Sequence, residues 1–280
     1  MLLAGIKVSQ SKFYFEEMKR FYIRFIKIYN PKRFRLSPFC KCLLSIWQIA
    51  AGTPFSGPTG GDTVTLLEIS QYSFETGSSA CTPIACSIVA AILGSFDNKG
   101  PVVDIPFLTE AVISGVMNYT QLVKEVGSVD HLSVAEYFNQ SEVTKAKVSQ
   151  VGEPIQGLLT NRDAFLNLIK SARESVASDH TNRGKHIGIV ITKPPETVCI
   201  TIPPLDSNQS NNTYSFFDSH PRPECGISQA CYVTSSDIDS IILRLNAIFP
   251  ANVGIESDGY EGSYMQMLYS TFEGTVLLRK

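Results

Sequence analysis

A change in hydrophobic pattern partway along the chain constrains its fold more than any other feature. Up to about residue 176, apolar residues recur at helical spacing, as in "CTPIACSIVAAIL" (81–93) and "RDAFLNLIKSARESV" (162–176). From residue 186 to about residue 235, the chain consists of short β-branched and apolar runs such as "HIGIVITK" and "TVCITI", separated by Pro, Asn, Ser and Gly. Asp237 then begins a last predicted helix, "DIDSIILRLNAIF", and "TVLLRK" is a candidate closing strand. Helices followed by a series of strands predict an α+β fold with a mostly antiparallel sheet.

Glycine and proline mark a domain boundary near the start of the chain. The segment "GTPFSGPTGGD", residues 52–62, contains four glycines and two prolines and is typical of a linker. We therefore expect a basic N-terminal extension over residues 1–51, either helical or poorly ordered. The linker 52–62 then leads into one globular domain over residues 63–280.

The extension differs from the rest of the chain in charge. Residues 1–48 set Glu16 and Glu17 against the basic residues Lys7, Lys12, Lys19, Arg20, Arg24, Lys27, Lys32, Arg33, Arg35 and Lys41. The whole chain has a formal net charge of −2, so its charge predicts no general attraction to nucleic acid. Aromatic and basic residues interleave over residues 12–28, as in helices that bind a membrane surface or a partner. A loosely attached extension is the interpretation we favour.

Cysteine usage indicates the compartment. The chain has seven cysteines, an odd number at irregular spacing, and no CxxC pair. This pattern favours reduced thiols over a disulfide framework or a zinc module. We expect a cytoplasmic or nuclear protein that needs neither metal nor cofactor.

Cys81 stands where a loop becomes a helix. Segment 77–79 is turn-forming, and Pro83 suits a first helical turn, where its missing N–H costs nothing. A helix N-terminus lowers the pKa of a thiol, so Cys81 is the candidate nucleophile. The alternative is a buried cysteine at the helix cap. Cys86, further into the helix, is predicted to be a packed core residue.

Asp218 and His220 are the candidate orienting acid and general base. Residues two apart project from the same face of a strand, so "TYSFFDSH" (213–220), if extended, aligns the two side chains. An Asp that holds one imidazole nitrogen leaves the other free to face a thiol. The alternative is a turn histidine that is merely capped by Asp218.

The remaining histidines are weaker candidates. His131 and His180 each follow an aspartate directly in a polar segment, and we predict that both are solvated. His186 begins a strand and could line a site, but no carboxylate accompanies it.

Gln71 is the candidate oxyanion donor. It lies ten residues before Cys81, at the end of a predicted first strand, "TVTLLEIS" (63–70). Donors aimed at developing negative charge often contribute most to catalysis, and the backbone N–H of Cys81 is a second candidate. The alternative is that Gln71 simply ends a strand at the surface.

These candidates occur in an order that resembles a known family. The segments "ISQYSFETGSSACTPIACSIVA" and "YSFFDSHPR" are similar to the deubiquitinases at the N-terminus of herpesvirus large tegument proteins, and to the cellular viral tegument-like deubiquitinases. The resemblance covers residues 63–280. It implies a papain-like cysteine protease fold without metal or cofactor, ubiquitin or ubiquitin chains as partner, and cleavage after the C-terminal Gly of ubiquitin.

The resemblance also implies a role for each candidate. Cys81 would be the nucleophile, His220 the base, Asp218 its orienter and Gln71 the oxyanion donor. Two other functions fit the same residues. One is a cysteine protease or acyltransferase that acts on another peptide tail, and the other is a catalytically inactive binding module.

Overall fold

The structure, a computed structural model, describes residues 62–96, 103–127, 131–159, 163–206, 213–250 and 270–280. The predicted N-terminal extension, and the predicted linker up to residue 61, lie outside these residues. Asp62, the last residue of that linker, is buried and accepts a hydrogen bond from Arg244 at 2.8 Å. Among the described helices, none has the length and apolar character that crossing a membrane requires.

The described elements alternate more than the sequence pattern predicts. The helices are α1 (Cys81–Ser95), α2 (Ile105–Val126), α3 (Val134–Gln140), α4 (Glu142–Lys147), α5 (Ala164–Ala177) and α6 (Ile238–Ile248). The strands are β1 (Thr63–Leu66), β2 (Val148–Gln150), β3 (Ile155–Leu158), β4 (Ile187–Lys193), β5 (Glu196–Ile202), β6 (Tyr214–Asp218), β7 (Cys231–Ser235) and β8 (Thr271–Arg279). Short 3₁₀ turns cover Gln71–Ser73, Gly77–Ser79, His180–Asn182 and Pro223–Cys225.

All of these strands join one sheet. Its order is β1-β7-β6-β5-β4-β8-β2, and β3 also pairs with β8. Every strand pairing is antiparallel. A mixed fold of helices and an antiparallel sheet, as the sequence predicts, is therefore confirmed.

Helices cover both faces of the sheet. Val190, Cys199 and Phe217 belong to a core with α1, α2 and α3. Their strand neighbours, such as Ile189 and Phe216, belong to a second core with α5 and α6. Consecutive residues of β4 to β6 are therefore buried whichever way they point, which explains their nearly continuous apolar sequence.

Helix α1 lies between the sheet and α2. Twelve of its 15 residues are buried, as expected of a helix that is apolar on all sides. Gly115 of α2 allows the close approach, because a Cβ there would lie 2.5 Å from the Cα of Ile84. The start of α1, and with it Cys81, is thereby fixed by packing on two sides.

Several predicted boundaries are wrong. The first strand ends at Leu66 rather than at residue 70, so Gln71 begins a 3₁₀ turn instead of ending a strand. The strand predicted over residues 213–220 ends at Asp218, two residues before His220. The short elements α4, β2 and β3 have no counterpart in the sequence prediction.

Candidate active site

Cys81 is the first residue of α1 and is almost completely buried, with 3% of its surface exposed. Its thiol donates to the carbonyl oxygen of Pro195, in the β4–β5 turn, at 3.8 Å. Cys86, one turn and a half further on, is fully buried in the core, which confirms the prediction for that residue. The five cysteines in the described part of the chain are free thiols.

The Cys81 thiol has an unusually low pKa. Burial raises it, but hydrogen bonds with His131 and His220 and the charge of both rings outweigh burial and lower the pKa to about 6. The N-terminus of α1 favours the anion as well, through its unpaired N–H groups. At neutral pH the sulfur is therefore mainly a thiolate, the reactive form of cysteine.

A turn brings His220 onto Asp218. The imidazole Nδ1 lies 2.6 Å from Asp218 Oδ1, and the backbone N–H of His220 donates to the same oxygen at 2.9 Å. Because β6 ends at Asp218, the prediction that the two side chains meet as same-face neighbours on a strand is wrong. They meet because the chain folds back on the carboxylate in a local turn.

The buried pair shifts the pKa values of both groups. Burial raises the pKa of Asp218, but the hydrogen bonds and charge of His220, with the charge of Arg222, lower it overall. For His220, burial lowers the pKa, whereas Asp218 and Cys81 raise it to about 10. The site therefore favours an imidazolium between a carboxylate and a thiolate.

Arg222 completes this charge cluster. Its Nε donates to Asp218 Oδ2 at 2.7 Å, and its two terminal nitrogens donate to the Glu196 carboxylate at 2.8 and 3.1 Å. Sequence reasoning missed both residues. Arg222 lies four residues after Asp218 in the "SFFDSHPR" segment, and this closeness in sequence could have pointed to it. Glu196 comes from the β4–β5 hairpin, and no feature of the sequence pointed to it.

Gln71 is buried and bonds with Ser219, the residue between Asp218 and His220, and with Ser78, shortly before Cys81. It is 1% exposed, so the alternative of a surface residue is wrong. Its Oε1 accepts from the Ser219 hydroxyl at 2.8 Å, and its Nε2 donates to the Ser78 carbonyl at 3.4 Å. A Cβ at Gly77 would lie 1.8 Å from the Gln71 carbonyl oxygen, so this turn requires glycine.

His131 is the main surprise among the histidines. It is half-buried, its Nδ1 atom is buried, and it helps to lower the pKa of the Cys81 thiol, so the prediction that it is solvated is wrong. The next residue, Leu132, accepts a hydrogen bond from Thr82 at 2.8 Å, which ties this segment to the start of α1. No sequence signal pointed to His131, because the contact between Leu132 and Thr82 that brings its segment to α1 joins residues fifty positions apart in the sequence.

The other two histidines lie apart from this cluster of interactions. His180 begins an exposed 3₁₀ turn, in agreement with its predicted solvation. His186 stacks on Phe96 with ring centroids 3.4 Å apart, and burial lowers its pKa to about 4.

Comparison with known proteins bears on the fold. The sequence matches no protein-family model and no curated protein sequence. The fold is similar to the crystal structure of a ubiquitin-specific protease encoded by a tegument protein of murine cytomegalovirus, in complex with a ubiquitin-based suicide substrate. The TM-score is 0.52 at 13% sequence identity, and the match covers 77% of this chain and 85% of that chain. The chain therefore has a fold distantly similar to that of a viral deubiquitinase.

Proposed function

We propose that the protein is a cysteine hydrolase that cleaves the peptide or isopeptide bond after the C-terminal Gly of ubiquitin. The observation that carries the proposal is the Asp218–His220 pair, held at 2.6 Å, whose imidazole and the Cys81 thiol at a helix start shift each other's pKa values. A cysteine at the start of a helix, with its imidazole supplied from beyond the end of a strand, fits a papain-like catalytic arrangement. The distant similarity to a viral ubiquitin-specific protease favours ubiquitin as the substrate.

In the first half-reaction, the Cys81 thiolate attacks the carbonyl carbon of the terminal Gly and forms a C–S bond. The Gln71 amide, with the backbone N–H of Cys81, stabilises the resulting oxyanion in the proposed mechanism. The His220 imidazolium donates its proton to the leaving amine as the C–N bond breaks. A thioester and a neutral imidazole remain.

In the second half-reaction, neutral His220 takes a proton from water, and the hydroxide attacks the thioester. The C–S bond breaks, which restores the thiolate–imidazolium pair and releases the C-terminus of ubiquitin as a carboxylic acid, and this acid then loses its proton to water. Asp218 keeps the ring oriented through both steps. Gln71 suits its role because its long hydrogen bond to Ser78, at 3.4 Å, is a weak one that an oxyanion can replace.

Turnover of ubiquitin with a fluorogenic group on its C-terminus tests the proposal. We expect activity in the wild type, none in Cys81→Ala, and a loss of roughly 10²–10⁴-fold in His220→Ala, the usual contribution of a general base. Cys86→Ala is the matched control, because it removes a thiol from the same helix away from the site, and it should keep most activity.

A short fluorogenic peptide ending in Gly-Gly distinguishes ubiquitin from other peptide tails. We expect the wild type to prefer ubiquitin strongly, because folded ubiquitin adds contacts beyond its tail. Equal turnover of both substrates would instead favour a protease for another tail. Turnover that survives in Cys81→Ala, or a folded wild type without turnover, would refute the proposed function.

A further inference from the structure

A cavity of about 510 Å³ opens between the helices α1, α2 and α4 and the end of β8. None of the candidate catalytic residues lines it. Its volume lies within the range of small-molecule binding sites, about 300–1,000 Å³. The cavity is therefore large enough to hold a small organic molecule.

Small residues on two packed helices create this space. Ala90, Ala91 and Gly94 of α1 and Ala111 of α2 line the cavity, where larger side chains would fill it. A Cβ at Gly94 would meet nothing within 4 Å. Protein interiors are normally packed as densely as organic crystals, so an occupant would restore contacts that both helices lack here.

The Ser87 side chain of α1 indicates that the occupant is polar. Only 8% of this residue is exposed, and it lines the cavity. Its hydroxyl has no hydrogen-bond partner among the described residues, whereas the Ser95 hydroxyl on the same helix donates to the Ile92 carbonyl at 2.7 Å. Because a buried hydroxyl normally has a partner, a polar group inside the cavity would complete the hydrogen bonding of Ser87.

Helices α2 and α4 add further polar groups to the cavity wall. The Asn118 amide donates to the Tyr137 hydroxyl at 3.2 Å, and that hydroxyl bonds with the Thr144 hydroxyl at 2.9 Å. These bonds fix Asn118 and Thr144 where they line the cavity, and Ser114 of α2 lines it as well. Hydroxyls and amides both donate and accept, so the wall suits a ligand that carries hydroxyl groups.

The charged residues around the cavity are mainly basic. Lys147, Arg279 and Lys280 line it, together with the acidic Glu110. Three positive charges and one negative charge leave two positive charges, which match the nearly two negative charges of a phosphate monoester at neutral pH. Lys147 and Lys280 are exposed and make no ion pair with the described residues, so both are available to an anion at the opening.

We propose that this cavity binds a small phosphorylated sugar or polyol. The phosphate lies at the opening with Lys147, Arg279 and Lys280, and the hydroxyl-bearing part bonds with Ser87 inside. Lysine and arginine are suited to phosphate through charge-assisted hydrogen bonds. This binding does not depend on the proposed function, because the residues involved include none of the candidate catalytic ones.

Calorimetric titration of the full chain tests the proposal with three probes, glucose 6-phosphate, ribose 5-phosphate and glycerol 3-phosphate. We expect at least one of them to bind saturably, with one molecule per chain. Glucose and inorganic phosphate are the controls, since each lacks one of the two recognised parts. Each should bind about tenfold more weakly than the best probe, or weaker still.

Charge variants at the cavity should change the affinity for the best probe in opposite directions. Lys147→Gln should weaken binding about tenfold, as expected for loss of one charge-assisted hydrogen bond. Glu110→Gln should strengthen binding about two- to fivefold, because it removes a negative charge near the phosphate. Lys145→Gln is the matched control on α4, since Lys145 pairs with Glu142 at 3.0 Å and does not line the cavity, and its affinity should equal that of the wild type.

A serine variant tests the inner part of the cavity. Ser87→Ala should weaken binding of the best probe about three- to tenfold, as expected for loss of one hydrogen bond. Ser95→Ala is the matched control on the same helix and should bind like the wild type. If Ser87→Ala does not fold, the variants of the exposed residues Lys147 and Glu110 decide the question.

Three results would overturn the proposal. The first is that none of the three probes binds saturably. The second is that inorganic phosphate binds as tightly as the best probe, which would indicate an adventitious ion only. The third is that Lys147→Gln and Lys145→Gln change the affinity equally, which would place the bound phosphate outside this cavity.

Discussion

Asp218 shows how a fully buried carboxylate can be stable at this site. It has no exposed surface, and removing such a charge from water is costly. Its oxygens accept from the His220 backbone, the His220 ring and Arg222, and the other side of Arg222 is held by Glu196. Arg222 is therefore a positioning residue that fixes the carboxylate, and through it the imidazole.

Replacing Arg222 by Met should destabilise the protein by about 3–5 kcal/mol, because the buried Asp218 loses its charged partner. Glu196→Gln is the control on the other side of the same ion pair. Its side chain is 30% exposed, so water replaces much of the lost interaction and we expect about 1 kcal/mol or less. Urea unfolding measures both. Equal losses in the two variants would contradict the role given to Arg222.

The pH dependence of kcat/KM should report the thiolate–imidazolium pair. The Cys81 pKa is lowered to about 6, so activity should rise as the pH increases through that value and the sulfur ionises. The His220 pKa is raised to about 10, so activity should fall above it as the imidazolium loses its proton. Fluorogenic ubiquitin provides the assay. An acidic limb near pH 8–9, the range of an ordinary thiol, would contradict this assignment.

At the scale of elements, α1 carries the proposed nucleophile, and its position depends on how closely α2 packs against it. A Cβ at Gly115 would lie 2.5 Å from the Ile84 Cα and 2.8 Å from its backbone nitrogen, so the two helices could not approach as they do. Ile84 lies three residues after Cys81. A shift in this contact should therefore change both stability and the position of the sulfur.

Two glycine-to-alanine changes in these helices should have opposite effects. Gly115→Ala should lower the free energy of unfolding by about 1–3 kcal/mol through overpacking, and it should reduce activity. Gly94→Ala, near the end of α1, meets nothing within 4 Å. It should raise stability by about 0.5–1 kcal/mol through helix propensity. Thermal unfolding distinguishes the two, and a stabilised Gly115→Ala would show that the helix contact does not depend on a missing side chain.

The sequence predicted those elements whose signals are local. The start of α1 follows from the turn-forming segment 77–79, Pro83 and a long apolar run, and the structure begins the helix at Cys81. The strands β4 to β7 were recognisable because helices on both faces select apolar residues at every position. The short strands β2 and β3 were not predicted, because three or four residues show no clear hydrophobic periodicity. Their partner β8 also lies more than a hundred residues away in the sequence.

At the site, the sequence identified the side chains better than their geometry. Asp218 and His220 do interact, but through a turn rather than through strand alternation. His131 and Glu196 could not be predicted from the sequence, since their contacts depend on where loops that are distant in sequence meet. Such contacts follow from the strand order and the packing of α1, which no local pattern specifies.

At the scale of the whole molecule, the sheet order assembles the site. Strands β4, β5 and β6 are neighbours, so the β4–β5 hairpin and the end of β6 lie side by side. Both adjoin the start of α1, where Pro195 contacts Cys81, and the backbone of Gln71 is tied to Ser219 at 3.1 Å. The site is therefore a property of the entire domain rather than of one segment.

Truncation tests where that domain begins. A chain without residues 1–60 should keep its hydrolytic activity, because the site and both cores lie within the described residues. A chain without residues 1–62 also loses Asp62, whose ion pair with Arg244 is 2% exposed on both sides. It should be less stable by about 3–5 kcal/mol. Equal stability of the two chains would contradict a structural role for Asp62.

The central claim is that the sulfur of Cys81 reacts with the C-terminus of ubiquitin. Ubiquitin with a propargyl group in place of its terminal Gly carboxylate tests this directly, because it forms a stable bond only with a thiol positioned for attack. We predict one adduct per chain, which peptide mapping assigns to Cys81 and which is absent in Cys81→Ala but present in Cys86→Ala. A folded protein that forms no adduct, or forms it at another cysteine, would contradict the account.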